Sequence, residues 1–325
     1  MPGGGLYRTP GPGVKGGRLS SSARAGYTSR ATASERKMTA LFLLLTALFL
    51  IPAAAGPLVE EPNELGDIPI LMYHHVSDRV NSIYNVPPAV FENHLLQFYE
   101  AGFVLVSLSD YCDDAFLVPR GSKPLVITFD DGHENNFRLL PDGSIDPACA
   151  VGVLESFARE RPDFGRTAAF FVNAGPWAVP FGDAATAGEK LRWLVENGYD
   201  IGNHTADHHN LRNCDPYQVR RQIGLCQAAL YELCPELEGR VRFFAYPYGI
   251  APRDPKGFEV VESGSFNGVA YRMELCLRAW EYPAPSPASP VFERLRLAIP
   301  RIEMHVRESG NGHTPRWVAD RPNLY

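Results

Sequence analysis

Short apolar runs alternate with longer amphipathic segments along most of the chain. Eight short runs are predicted as strands, at 68–73, 103–107, 125–129, 167–172, 199–203, 242–246, 267–271 and 297–302. Four longer segments are predicted as helices, at 88–100, 150–160, 187–197 and 215–233. In the last of these, apolar residues from Val219 to Leu233 recur at spacings of three and four, which places them on one buried face.

The alternation of strands and helices predicts the fold class. It is typical of an α/β protein in which helices cover a parallel sheet, either open or closed into a barrel. The eight predicted strands favour the barrel, either complete or incomplete. No low-complexity linker divides residues 57–325, so we expect one domain there, with 280–290 as a proline-rich surface loop.

The N-terminal part of the chain differs from the rest. Residues 1–37 are rich in Gly, Pro, Ser and Arg, with Glu35 as their one acid, which indicates a disordered or mis-assigned start. The apolar run 41–51 and the small residues after it are typical of a signal peptide over 38–56, cleaved near Ala55. A membrane anchor is the alternative, but a spanning helix needs about 20 apolar residues. We therefore expect a secreted or periplasmic protein with no membrane span in its mature chain.

Composition narrows the function only slightly. The chain is 45% hydrophobic and 21% charged, which is ordinary for a globular protein. Its net charge of -6 gives no reason to expect nucleic acid as a partner. The six cysteines show no C-x-x-C spacing, and an exported chain can pair them in ways that the sequence does not specify.

Polar residues follow four of the predicted strands. Asp130 and Asp131 come after 125–129, the segment 204–208 (HTADH) follows 199–203, and similar clusters stand at 246–249 and 73–75. Because the carboxyl ends of parallel strands open onto one face, where α/β proteins bind ligands, we expect these clusters to converge.

Two of these clusters suggest a metal site. His204 and His208 are four residues apart and face one ion if the segment turns helically, although two surface histidines are the alternative. With one aspartate they form a three-ligand set that leaves a position open for water, as catalytic zinc requires; cobalt and nickel also suit this set. Adjacent residues point in different directions, so of Asp130 and Asp131 one can bind the ion and the other can accept a proton from water.

The order of the motifs resembles that of a known family. TFDDG at 128–132, HTADH at 204–208 and YPYG at 246–249 are similar to motifs of the polysaccharide deacetylase family, of carbohydrate esterase family 4 type. The resemblance covers roughly residues 68–302. It implies a distorted (β/α)7-8 barrel, in agreement with the number of predicted strands, and a metal-dependent hydrolase that removes N- or O-acetyl groups from glycans.

The resemblance also implies roles for individual residues. Asp130 matches the general base, and Tyr248 matches the residue whose backbone N–H helps to hold the oxyanion. Thr128 and Asn203 are expected to support the site. The metal ligands implied are Asp131, His204 and His208.

The sequence departs from the family pattern in two places. Ala245 stands where many members have an arginine that orients the base, and Arg301 is a candidate to replace it. The late motif with the catalytic-acid histidine has no good match, and His305 is a weak alternative. However, 68–76 resembles the first strand of the subgroup with rearranged motifs and an N-terminal YH, which makes His74 the expected acid.

Most other histidines and tryptophans are expected to have structural roles or to lie in solvent. His75 and His209 should point into packing or solvent. His133 is expected in a solvated turn, with a position lining the groove as the alternative. Trp177 and Trp280 can stack on sugar rings, as can Trp193, which is more simply explained as helix core. No role is assigned to His94 or His313.

Together these observations predict an exported, metal-dependent deacetylase of N-acetylglucosamine-type polymers. A glycan-binding module without catalysis is a second hypothesis, although it would be expected to have lost one of the site residues. An amidohydrolase of a non-sugar amide on the same barrel is a third. Chitin, peptidoglycan, poly-N-acetylglucosamine and xylan all remain open as the glycan.

Overall fold

Strands and helices alternate in the computed structural model, which describes residues 63–79, 82–279, 282–307 and 312–325. The described strands are β1 (Asp67–Ile68), β2 (Ile70–Tyr73), β3 (His75–Val76), β4 (Asn85–Val86), β5 (Phe103–Leu105), β6 (Lys123–Phe129), β7 (Ala169–Val172), β8 (Asp200–Asn203), β9 (Phe243–Ala245), β10 (Ser263–Phe266), β11 (Val269–Arg272), β12 (Leu275–Leu277), β13 (Ala284–Pro285) and β14 (Ile302–Glu303). The described α-helices are α1 (Pro88–Glu100), α2 (Leu108–Cys112), α3 (Ala150–Glu160), α4 (Ala187–Glu196), α5 (Pro216–Leu233), α6 (Pro255–Glu262), α7 (Phe292–Leu295) and α8 (Pro315–Ala319).

A curved parallel sheet forms the centre of the fold. Its strand order is β12-β9-β8-β7-β6-β2-β14, and β5 pairs with the first half of β6. The two ends of this order meet, because Leu277 of β12 bridges Ile299 and the chain then runs through Arg301 into β14. The α/β class and the distorted barrel predicted from the sequence are confirmed.

Alternate residues of the strands face two different layers. Leu71, Ile127 and Phe170 point outwards into the apolar layer beneath the helices, whereas Val126 and Phe171 point into the barrel. Side chains on a strand alternate with a period of two, so Thr128 and Asp130 share the inner face with Val126. The sequence of β6 thus carries its first aspartate to the upper end of the barrel interior.

The helices follow the sequence-based prediction more closely than the barrel strands do. The helices predicted at 88–100 and 150–160 have the same bounds in the structure. Those predicted at 187–197 and 215–233 each differ from the structure by one residue at one end. The strand predicted at 267–271 is wrong as a barrel strand, since β10 and β11 pair as a separate antiparallel hairpin. The barrel uses β12 in its place, and that strand has only three residues, too few to show a periodic pattern.

The predicted leader, 38–56, and the predicted start segment, 1–37, lie outside the described residues. Within the described part, no helix combines the length and the apolar character needed to cross a bilayer. The sequence leaves the pairing of the cysteines open, and in the described residues all six are free thiols.

Several turns at the carboxyl ends of the strands have left-handed backbone. Asp131, Thr205, His208 and Tyr248 have φ values of 73°, 73°, 57° and 60°. Non-glycine residues seldom adopt this conformation, which is costly and concentrates at functional sites. Gly132 continues the first of these turns at φ 67°, and a Cβ there would lie 2.8 Å from Cγ1 of Val172.

We expect Gly132→Ala to lower the free energy of unfolding by about 3 kcal/mol, since left-handed backbone and overpacking each cost about 1–2 kcal/mol. Gly143→Ala is the matched control, because Gly143 has φ 82° and a Cβ there would have no described neighbour within 4 Å. The control should lose about 1 kcal/mol. Urea unfolding followed by circular dichroism measures both, and equal losses would contradict the packing against Val172.

Candidate active site

The polar strand ends meet in one cavity of about 250 Å³ at the carboxyl end of the sheet. The residues that line it are Met72, His74, His75, Tyr84, Asp130, Asp131, His204, His208, Tyr248, Gly249, Ala279 and Glu303. The convergence expected from the sequence is therefore present. A larger cavity, of about 780 Å³, lies where β7, β8 and β9 begin, and none of the predicted site residues lines it.

Three side chains form a compact group of possible metal ligands. Oδ1 of Asp131 lies 3.4 Å from Nε2 of His204 and 3.3 Å from Nε2 of His208, and one ligand atom from each residue lies within 4.8 Å of the others. The same Oδ1 is buried and has no hydrogen-bond partner among the described residues. A buried carboxylate oxygen without a partner is costly, and a cation would satisfy it. The donor set thus fits a divalent metal ion.

The backbone selects the tautomer of one of these histidines. Nδ1 of His204 lies 2.8 Å from the carbonyl oxygen of Ala245, so Nδ1 carries a proton and donates it. In a neutral ring this leaves the lone pair of Nε2 directed at the carboxylate group, where a metal would bind. Asn203, just before His204, is held by Ile223 O and Gln227 Oε1, each at 3.0 Å.

The carboxylates and imidazoles of this group shift one another's pKa values. Burial by itself raises the pKa of Asp131, but the hydrogen bond from His133 and the proximity of His204 outweigh it and leave this pKa below its usual range. Burial lowers the pKa of His204, whereas Asp130 and then Asp131 raise it to a net value above the ordinary one. The pKa of His208 is lowered by burial and then by His204. A divalent cation would neutralise the excess negative charge that raises the pKa of His204.

Asp130 forms a bidentate ion pair with Arg301. Nη1 and Nη2 of Arg301 each lie 2.6 Å from one oxygen of Asp130, and Nη1 also donates to Oγ1 of Thr128 at 3.0 Å. Burial raises the pKa of Asp130, but the opposite effects of Arg301 and then His204 are larger together. The pKa is therefore below its ordinary value, and the carboxylate stays charged. Arg301, the candidate to replace the arginine that is absent at Ala245, thus contacts the predicted base directly. The role of Arg301 stays a prediction.

His74 lies on the wall of the cavity. Its backbone oxygen accepts a hydrogen bond from Nδ2 of Asn136 at 2.6 Å, and its ring centroid lies 4.9 Å from that of Tyr84. Burial lowers the pKa of His74, although Asp130 and Asp131 partly oppose this. The weaker alternative, His305, does not line the cavity.

Tyr248 forms part of the mouth of the cavity. Its side chain is 62% exposed, and its ring centroid lies 4.6 Å from that of His208. Gly249 follows it at φ 66°, where a Cβ would lie 2.6 Å from the Cβ of Ala279. This close approach fixes the turn that presents Tyr248.

Three residues near the possible metal ligands could not be assigned from motifs. One of them, His133, differs from its expected position, and the other two belong to no motif. The sequence predicts a solvated turn for His133, but its Nε2 lies 3.0 Å from Oδ2 of Asp131, and its ring stacks on that of His75 at 3.6 Å. Tyr84 and Glu303 line the cavity, and neither belongs to a motif. The position of His133 directly after the Asp-Asp-Gly turn is the one signal of its role that the sequence offers.

Comparison with known proteins places this site in context. The family model described as polysaccharide deacetylase matches residues 118–257, which include Asp130, the three possible metal ligands and Tyr248. A chitooligosaccharide deacetylase from a Bradyrhizobium species is 28% identical over 134 residues, covering 41% of this chain and 50% of that protein. One from Sinorhizobium fredii is 31% identical over 136 residues, 41% of this chain and 52% of that protein. The matches thus span about half the length of these curated relatives.

Solved structures show the same fold over a longer stretch. The Streptococcus pyogenes deacetylase PplD, in complex with acetate, aligns with a TM-score of 0.56 and 19% identity over 75% of this chain and 95% of its own. A polysaccharide deacetylase from Bacillus cereus aligns with a TM-score of 0.55 and 18% identity over 78% of this chain and 67% of its own. Over residues 118–257, the chain is similar to the polysaccharide deacetylase family.

Proposed function

We propose that the protein is an exported hydrolase that removes N-acetyl groups from an N-acetylglucosamine-type glycan with the help of one divalent metal ion, zinc in the first instance. The observation that carries this proposal is the group of Asp131, His204 and His208 beside the arginine-held Asp130. The names of the curated relatives support a chitooligosaccharide as substrate. The signal peptide predicted over 38–56 supports export.

The side chains can divide the work of amide hydrolysis. Asp131, His204 and His208 would hold the cation, which when bound supplies Lewis-acid activation of water and of the acetyl carbonyl. Asp130 accepts the proton of the attacking water, and Arg301 fixes the orientation of its carboxylate. The backbone N–H of Tyr248 is proposed to meet the developing oxyanion.

The leaving amine needs a proton, and His74 is proposed to provide it. It lines the same cavity as Asp130 and Asp131. Because burial lowers the pKa of His74, the protonated ring is a stronger acid than an exposed imidazolium. The assignment to the subgroup with an N-terminal YH motif rests on this histidine and belongs to the proposal.

The first test is acetate release from N-acetylglucosamine oligomers by the full chain. We expect release to require zinc, to stop with chelator, and to fall about 10²- to 10⁴-fold in Asp130→Asn, since a general base contributes that much. Asp146→Asn is the control, because Asp146 also pairs with an arginine, Arg138, away from the cavity. Bound zinc with no release from any oligomer, but with oligomer binding, would overturn the enzyme and favour the glycan-binding module.

The second test concerns Arg301. Arg301→Lys keeps the charge but loses the two-pronged contact, so Asp130 should shift and kcat should fall about 100-fold with little change in KM. Arg301→Met leaves Asp130 buried and unpaired and should cost about 3–5 kcal/mol of unfolding free energy. A lysine variant with the wild-type kcat would show that the orientation of Asp130 by Arg301 is dispensable.

The third test concerns the substrate class. Trp177 is 68% exposed, the guanidinium of Arg221 lies 5.8 Å from the centre of its ring, and its loop touches the histidine segment where Gly175 approaches Ala206. If the ring stacks on a sugar, Trp177→Ala should raise KM for long oligomers about three- to tenfold and leave dimers unaffected. Leu117→Ala, at a side chain 96% exposed beside the other cavity, is the control. If the KM of Trp177→Ala for long oligomers equals that of wild type, the ring of Trp177 does not bind the glycan.

A further inference from the structure

The two oxygens of Asp131 have different surroundings. Oδ1 faces Nε2 of His204 and His208 and has no hydrogen-bond partner in the described part of the chain. Oδ2 points the other way, to Nε2 of His133 at 3.0 Å. The side chain of His133 is 32% exposed, so this contact lies at the border between the cavity and solvent.

The chemistry of a ligating carboxylate fixes the direction of that contact. A carboxylate that binds a cation is deprotonated and can only accept hydrogen bonds. Nε2 of His133 must therefore be the donor. With Oδ2 occupied in this way, Asp131 is left with one oxygen, Oδ1, for a cation.

The ring of His133 is itself held from several sides. It stacks on the ring of His75 with centroids 3.6 Å apart and planes inclined by 15°. Nδ1 of His75 lies 3.1 Å from the side-chain amide of Asn135. The backbone N–H of His133 donates to Oδ1 of Asn136 at 2.9 Å, and Asn136 in turn donates to the backbone oxygen of His74. These contacts tie the turn after β6 to the end of β2.

We infer that His133 is a positioning residue of the metal centre: it holds Oδ2 of Asp131 so that Asp131 binds the cation through Oδ1 alone, and His75 fixes the plane of its ring. This inference rests on the proposed function because it needs a cation at Asp131. Its consequence is a low coordination number, since a carboxylate that chelated through both oxygens would fill the position needed for water.

The role is distinct from that of a fourth ligand. The group of ligand atoms within 4.8 Å of one another contains Asp131, His204 and His208 but not His133. A hydrogen-bond donor can be replaced by another donor of similar reach, whereas a nitrogen ligand cannot be replaced by an amide N–H. The two roles therefore predict different results for His133→Gln.

The test measures metal affinity in the full chain by competition for zinc with a chromophoric chelator. His133→Phe keeps a ring on His75 but removes the donor, and we expect the zinc dissociation constant to rise about 10- to 100-fold. His133→Gln keeps an N–H donor and should recover most of that loss. His209→Phe is the matched control, because His209 is exposed, adjoins His208 and contacts Asp207 and Thr205 instead of Asp131. In the cobalt form, the intensity of the visible absorption should match that of wild type in His133→Gln and His209→Phe. It should fall in His133→Phe, because Oδ2 of Asp131 is then free to bind the ion together with Oδ1.

Two outcomes would overturn the inference separately from the proposed function. If wild type and His133→Phe bind zinc equally, His133 does not position Asp131, while the metal centre stands. If His133→Gln binds zinc as weakly as His133→Phe and its own cobalt spectrum differs from that of wild type, His133 is a ligand instead of a positioning residue. If wild type binds no divalent ion, the metal centre of the proposed function fails together with this inference.

Discussion

The guanidinium of Arg301 lies inside the barrel, and the rest of the site depends on how it is held. It is fully buried, with Asp130 on one side and the ring of Phe171 at 5.4 Å. Two further N–H groups donate to Oγ1 of Thr128 and to the backbone oxygen of Arg278. A buried charge is tolerated only when its partners are nearly complete, as they are here. The same contacts join β6 to the chain segment that closes the barrel. The residue that orients Asp130 therefore also links the two sides of the closure.

Two adjacent aspartates are thereby given different surroundings. Asp130 follows the inward face of β6 and is neutralised by an arginine, while Asp131, in the left-handed turn, faces histidines. Each carboxylate thus has a principal partner of its own, which limits the repulsion that would protonate one of them. The Asp-Asp pair at the end of a buried strand thus places an arginine-paired carboxylate next to one that lies among possible metal ligands.

Sequence-based prediction succeeds most where local rules decide the structure. Helices with a clear apolar stripe, such as 88–100, are located closely because the period of 3.6 residues leaves little freedom. The ends of β2, β6, β8 and β9 converge as expected because parallel strands share a direction. Closure through Ile299 and the three-residue strand β12 could not be predicted, since they depend on contacts between distant segments. The same holds for Glu303, which reaches the cavity only because β14 pairs with β2.

The free thiols have a consequence for how the protein can be handled and where it can fold. Five of the six cysteines are buried, and burial raises the pKa of Cys112 and Cys226 to about 12. Oxidants and disulfides react with the thiolate, which is scarce at such values near neutral pH. The described barrel is held by packing and ion pairs without covalent cross-links, so it can form under reducing conditions and should tolerate thiol reductants throughout purification.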